Sequence, residues 1–190
     1  ALSTARTFFG VHRVESTFSP ELGGEVHLLA HGTTLHGAQA TSPAYKCQAT
    51  NYYAREGAIA QTYLKMEAQR PGMRMGVVGL GAGSVATYVR GGDRLRFFEI
   101  DGKVEEIARD PRCFTYIRDC AKGPVDVVLG DARLTLGRET PGSYDLIHLD
   151  AFSSDAIPTP HLTVETIEQY LKVLKPDGVL PLHISNRLLA

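Results

Sequence analysis

The chain changes its hydrophobic rhythm near residue 70. Before that point the apolar runs are short: "TFFGVHRV" (7–14), "EVHLLAHG" (25–32) and "TTLHG" (33–37). Glycines and polar turns separate them, which predicts a small antiparallel sheet. In "AREGAIAQTYLKMEAQ" (54–69), Ala58, Ile59, Tyr63, Leu64 and Met66 follow a helical period, and "RPG" at 70–72 ends it. Beyond it, runs rich in Val, Leu, Ile and Phe recur at 73–79, 94–100, 125–130, 144–150 and 178–185. They are nearly continuous rather than alternating, as strands covered on both faces are. Helices are predicted between them at 84–90, 102–109, 132–138 and 162–174. Thr163 caps the last, and Pro176 and Gly178 end it. Alternating strands and helices predict an α/β fold, a mainly parallel doubly wound sheet. The chain therefore divides into a small β domain with its linking helix (1–68) and a Rossmann-like domain (69–190). Such sheets bind ligands at the carboxyl ends of their strands, near the point where strand order reverses. The candidate site residues are those just after each strand.

The first of these turns is "GLGAGS", with Gly79, Gly81 and Gly83. A dinucleotide fingerprint wants its third glycine one position later, where this chain has Ser84. Glycine at 79 permits the tight turn, and glycine at 81 admits a ligand close to the backbone. The start of the following helix would offer N–H groups to a polar ligand. The second strand ends in "FFEID". Glu99 there suits the two hydroxyls of a ribose, in NAD or in an adenosyl sulfonium alike, and Asp101 suits a helix cap. The third strand ends in "LGDA". Asp131 is placed to accept from an adenine amino group, with the N–H of Ala132 toward a ring nitrogen, and Asp131 also fits a helix cap. NAD folds require no acid at this point, so Asp131 tips the reading toward an adenosyl sulfonium.

The fourth strand runs into "HLDAFSSDAIPTPHLT". Asp150 ends an apolar strand, and Asp155 follows a short turn-forming run. Two carboxylates over a sulfonium pocket attract a cation and repel an anion. An aliphatic amine has a pKa of about 10.4, so freeing its lone pair at neutral pH costs roughly 4–5 kcal/mol. A carboxylate that takes the proton in a dry pocket makes the nitrogen a nucleophile.

Bulk properties narrow the field. The formal net charge is −1, and no basic stripe favours nucleic acid. Cys47, Cys113 and Cys120 form no C-x-x-C pair, and their odd number reads as reduced, mostly buried thiols in the cytoplasm. No apolar run has the roughly 20 residues of a membrane helix. The start "ALSTARTFFG" lacks an initiator Met and a signal segment, and the end follows closely on the fifth strand, so a fragment of a longer protein is expected. His31, His36, His148 and His161 can approach the pocket rim, but their spacing is not that of metal ligands, and no metal site is expected. His36, in "LHGAQ", reads as a turn or interdomain hydrogen-bonder.

Taken together, "GLGAGS", "FFEID", "GDA", "YDLIHLDAFSSDAIPTPHLT" and "LKPDGVL" resemble the spermidine synthase (polyamine aminopropyltransferase) family. "RTFFGVHRV", "HGTTLHGAQ" and "NYYAREG" resemble the branch often fused to a membrane transporter-like region. The resemblance spans nearly the whole chain. It implies a small N-terminal β domain before a methyltransferase-like Rossmann domain. It also implies decarboxylated S-adenosylmethionine as co-substrate, no permanently bound cofactor, putrescine or a related diamine as acceptor, and spermidine and methylthioadenosine as products. By position, Glu99 would bind ribose, Asp131 adenine, and Asp150 would open the catalytic acid motif. Gln39 and Tyr52 or Tyr53 would line the substrate pocket. The resemblance allows a homodimer and a covalent link to a membrane region, and it places the domain in the cytoplasm.

Two positions depart from the family pattern. The glycine loop carries Ala82 where typical members have an Asp that meets the donor's amine. The second acid lies at Asp155, farther from Asp150 than the usual D-x-x-D spacing, with Ser153 and Ser154 near the expected place. Two rival readings follow. One is an S-adenosylmethionine-dependent methyltransferase acting on a small amine. The other is a non-catalytic domain that senses the same ligand.

Overall fold

The computed structural model of the chain describes residues 1–49, 57–152 and 163–185. Four strands form an antiparallel meander in chain order: β1 (Ser3–Thr7), β2 (Gly10–Ser19), β3 (Gly24–His31) and β4 (Thr34–Ala40). The run "TFFGVHRV" is therefore not one strand. Thr7 pairs with Gly10, and Phe8 and Phe9 make the two-residue turn between β1 and β2. Helix α1 (Ala58–Gln69) then buries Ala60, Tyr63 and Met66, spaced to share one face.

The second sheet holds β5 (Arg74–Val78), β6 (Arg94–Glu99), β7 (Val125–Leu129), β8 (Tyr144–Phe152), β9 (Leu174–Val179) and β10 (Leu182–Ser185). Its order is β10-β8-β5-β6-β7, with β9 also paired to β8, and every pairing is parallel. Order reverses between β5 and β8, so the ligand crevice of this architecture lies at their carboxyl ends. The helices are α2 (Gly102–Arg109), α3 (Ala132–Thr135) and α4 (Val164–Val173). Side chains alternate between two cores. Met75, Val77, Leu95, Phe97 and Leu146 pack with Tyr63 and Ile107 on one face; Phe98, Ile147 and Leu149 pack with Leu136 and Tyr170 on the other. The molecule is thus an α/β protein with a methyltransferase-like Rossmann sheet, preceded by a small antiparallel one.

Three expected elements come out differently. The helix expected at 84–90 is a tight 3₁₀ turn, Ser84–Tyr88. Val85, Thr87 and Val89 are β-branched, and Gly91 and Gly92 follow, so little favours a longer helix. The helix expected at 132–138 is α-helical only to Thr135 and tightens to 3₁₀ over Leu136–Arg138. The strand expected at 178–185 is two strands: β9 starts earlier, at Leu174, and takes in Pro176 and Gly178, and β10 follows Pro181.

The two sheets are joined by specific contacts. Asp101 caps α2 by accepting from Lys103 N–H at 2.9 Å, and its other oxygen meets Thr7 Oγ1 at 2.7 Å and His12 Nε2 at 2.8 Å. The Tyr116 hydroxyl donates to the Ala38 carbonyl at 2.7 Å. Cys47 and Cys120 form a disulfide across a sequence separation of 73. The expectation of three reduced thiols is therefore corrected: only Cys113 is free, and it is buried. The segment after β4 lies against the π turn Tyr116–Cys120, which brings the two Cα atoms to 5.3 Å. Disulfides persist in oxidising surroundings, so the cysteines lend no support to a reducing cytoplasm. Among the described residues, no helix is long and apolar enough to cross a membrane.

Candidate functional site

The glycine loop leaves β5 with Gly79, Gly81 and Gly83 at φ 100°, 54° and 90°. Gly79 N–H donates to the Phe98 carbonyl at 2.8 Å, holding the loop's start to β6. A Cβ on Gly79 would lie 3.1 Å from the Asp150 carbonyl oxygen, and one on Gly81 would lie 2.8 Å from the His36 carbonyl oxygen. Positive φ and crowding together restrict both positions to glycine. The loop is thus threaded between β8 on one side and β4 on the other. Ala82 is buried, and a Cβ on Gly37 would come within 2.7 Å of the Ala82 methyl. Because the loop opens into a 3₁₀ turn, the α-helix start expected there is absent.

Glu99 ends β6 at the same edge. Its Oε1 accepts from Leu80 N–H and its Oε2 from Asp101 N–H, each at 3.0 Å. One bond fixes each oxygen and leaves each with further acceptor capacity, the requirement for gripping a vicinal diol. Burial pushes the Glu99 carboxyl up, while the two N–H groups pull it down and offset part of that rise.

Asp131 follows β7 and caps α3, accepting from Arg133 N–H at 3.0 Å; the Arg133 guanidinium folds back onto the same carboxylate. The cap expected for this residue is present. Ala132 is buried beside it. Ile100 and Leu129, which flank the ends of β6 and β7, are about half exposed at 44% and 48%. Two apolar side chains left open beside Glu99 and Asp131 offer surface suited to a flat heterocycle.

Asp150 lies on β8, across the loop from β4, with its backbone against Gly79. Behind it, fully buried Tyr63 hydrogen-bonds His148 Nδ1 at 3.0 Å and stacks on Tyr88 at 5.1 Å between centroids. Burial drives the Tyr63 hydroxyl well above its ordinary pKa, and the nearby Asp150 charge adds to this. The hydroxyl therefore stays protonated. Asp155, Tyr52, Tyr53, Ser153, Ser154 and His161 lie outside the described residues.

Gln39 is buried, and both ends of its amide are engaged. Oε1 accepts from Thr115 N–H at 2.8 Å, while Nε2 donates to the Lys46 carbonyl at 2.9 Å and to Thr115 Oγ1 at 3.1 Å. It tethers β4 to the segment before the π turn. Among the described residues, no cluster of His, Cys, Asp and Glu is suited to a metal ion.

Sequence reasoning missed a row of imidazoles. His12 stacks on His31 at 4.6 Å, and His31 meets His36 edge to face at 5.2 Å. The row starts at Asp101, next to the candidate ribose acid, and ends at His36 over the glycine loop. His12, His31 and His36 come from three strands. Only the alternation along β2, β3 and β4 hinted that they share a face.

Comparison with known proteins bears on the fold. No known family model and no curated protein matches the chain. A probable spermidine synthase from Corynebacterium glutamicum superposes with a TM-score of 0.72 at 22% identity, over 94% of this chain and 62% of its own. Human methyltransferase-like protein 13 in complex with SAH matches with a TM-score of 0.46 at 23% identity, over 57% of this chain and 53% of its own. The chain therefore spans about 62% of the length of the bacterial structure. At 22% identity the likeness to the bacterial structure establishes shared architecture alone.

Proposed function

We propose that the chain is an adenosyl-sulfonium-dependent transferase that moves the aminopropyl group of decarboxylated S-adenosylmethionine to putrescine or a related diamine. Spermidine and methylthioadenosine are the products. The observation that carries this reading is the placing of two acids around one loop. Glu99 is hydrogen-bonded to Leu80 within the loop, and Asp150 backs onto Gly79 at its start. The carboxylate at Glu99 suits a ribose diol, and the one at Asp150 suits a cation. The architecture shared with a probable spermidine synthase supports the reading.

In this mechanism Glu99 grips the ribose, and the apolar surface at Ile100 and Leu129 receives the adenine beside Asp131. Asp150 draws the protonated diamine to the loop and takes a proton from the attacking nitrogen. The neutral nitrogen then attacks the carbon next to the sulfonium sulfur. The new C–N bond forms as the C–S bond breaks, and the sulfur leaves as a neutral thioether. The protein contributes position and negative charge.

One observation favours a second reading. Ala82 is sealed beneath Gly37, so the loop presents no acid to a donor's amine. A donor that keeps its carboxylate would avoid an acid there, which suits methyl transfer from S-adenosylmethionine to a small amine. Calorimetry with both donors, followed by turnover assays with diamines, separates the two. Tighter binding of the decarboxylated donor with release of methylthioadenosine supports aminopropyl transfer. Tighter binding of the intact donor with a methylated amine as product replaces it with the second reading. Tight binding without turnover on any amine makes the domain a sensor.

A further inference from the structure

We infer that His12 and Thr7, both on the small sheet, are positioning residues for the ribose acid: through Asp101 they hold Glu99 in the pose that grips a vicinal diol. The inference deepens the proposed function and rests on its reading of Glu99 as the residue that binds the ribose.

Glu99 is held at each oxygen by a backbone N–H of different origin. Leu80, in the glycine loop, donates to Oε1, and Asp101 donates to Oε2, each at 3.0 Å. The Asp101 carboxylate is pinned in turn from two sides. Its Oδ1 accepts the cap bond from Lys103 N–H at 2.9 Å, and its Oδ2 accepts from Thr7 Oγ1 at 2.7 Å and from His12 Nε2 at 2.8 Å. An ionised carboxylate only accepts, so the imidazole presents an N–H at Nε2 and the threonine its hydroxyl proton.

Both donors are themselves aimed. The Thr7 hydroxyl accepts from Phe9 N–H at 3.1 Å, which leaves its one proton for Asp101. His12 lies opposite His31 in the β2–β3 register and stacks on its ring at 4.6 Å, and the His31 ring is anchored to the Phe9 carbonyl at 2.5 Å. The turn between β1 and β2 thus fixes both donors onto one oxygen. The side chains of His12 and Asp101 are only 4% and 7% exposed, so water has little access to replace their bond.

A carboxylate grips two hydroxyls at once only while it stays within about 0.5 Å of the productive pose. Loss of a donor to Asp101 leaves the cap at Lys103 in place but loosens the residue whose N–H sets Glu99 Oε2. The adenine surface at Leu129 and Asp131 belongs to β7 and the start of α3 and is built separately. The expected consequence is a loss of selectivity for the ribose hydroxyls rather than a general loss of nucleoside binding.

The test compares two ligands by calorimetry, methylthioadenosine and its 2′,3′-dideoxy counterpart. Wild type should prefer the ribose form by roughly 10- to 100-fold, the range for hydrogen bonds to a charged group. His12→Phe keeps a ring to stack on His31 and removes the donor. It should cut that preference by roughly 3- to 10-fold, the worth of an ordinary hydrogen bond, with affinity for the dideoxy form unchanged. His12→Gln, whose amide nitrogen can take the place of Nε2, should restore it. Thr7→Val, which keeps the shape without the hydroxyl, should act like His12→Phe and carries the same comparison if the phenylalanine variant does not fold. An undiminished preference in these variants, or equal weakening of both ligands, overturns the positioning role and leaves Glu99 as the ribose acid. A wild type that binds both ligands equally removes Glu99 from the ribose and the inference with it. Binding of neither ligand by the wild type overturns the proposed function as well.

Discussion

Glu99 Oε1 accepts a hydrogen bond from the backbone N–H of Leu80 at 3.0 Å. The acid that ends β6 thus holds the loop that follows β5, and ligand grip and loop shape depend on one side chain. Glu99→Gln keeps the size but offers one amide oxygen where two carboxylate oxygens now accept. Affinity for methylthioadenosine should fall by roughly 10- to 100-fold, the range for hydrogen bonds to a charged group. Isothermal calorimetry checks this. An affinity equal to wild type would remove Glu99 from the nucleoside site.

Asp150 is separated from that grip by the loop itself. Asp150→Asn should therefore leave methylthioadenosine affinity within a few-fold while turnover on a diamine drops by about 10²- to 10⁴-fold, the usual worth of a positioned proton acceptor. Steady-state assays across diamine concentration provide the measurement. Unchanged turnover would exclude Asp150 from the chemistry.

Much of this arrangement could be read from the chain before any coordinates. The strands of the Rossmann sheet were legible because burial on both faces forces continuous apolar runs, as in "VDVVL" and "YDLIHL". Caps at Asp101 and Thr163 were legible because the rule is local. What escaped was one local turn and several non-local contacts. The Phe8–Phe9 turn carries no turn signature, and 73 residues separate Cys47 from Cys120. The burial of Ala82 under Gly37 depends on where one sheet crosses a loop of the other. The placing of His36 has the same origin, and its motif alone read as a turn or interdomain hydrogen-bonder.

That crossing makes the loop intolerant of an added acid. Ala82→Asp would place a carboxylate against Gly37 in a buried position, and an unpaired buried charge is costly. The variant should lose several kcal/mol of stability without gaining affinity for a decarboxylated donor. Thermal unfolding and donor titration test both parts. A stable variant with tighter donor binding would show that β4 can move aside.

The disulfide joins the segment after β4 to the π turn across 73 residues of sequence. Closing a loop of that length removes unfolded-state entropy worth about 4 kcal/mol at most. The double variant Cys47→Ser, Cys120→Ser should therefore melt several degrees lower, by up to roughly 15 °C. Thiol titration of the denatured, unreduced wild type should find one reactive thiol, that of Cys113. Three reactive thiols would mean that the bond does not form.

Asp101 offers a test of how the two sheets are held. Burial opposes its charge, but Thr7, His12 and the Lys103 N–H outweigh that and keep its pKa below the ordinary value. A carboxylate lowered on folding adds stability that is complete above its unfolded pKa of about 4 and is lost as pH falls through the folded value. Asp101→Asn should thus destabilise the protein at pH 7 by roughly 1–3 kcal/mol, the scale of hydrogen bonds to a charged group. The gap to wild type should close as pH drops below about 4. Glu99, raised by burial, works in the opposite sense over the same range, and because the Asp101 charge adds to that rise, the asparagine variant also relieves Glu99, which narrows the gap without reversing its direction. Urea unfolding of the pair between pH 7 and pH 3 provides the readout. A gap that stays constant with pH would mean that shape, not charge, makes Asp101 the joint between β1, β2 and α2.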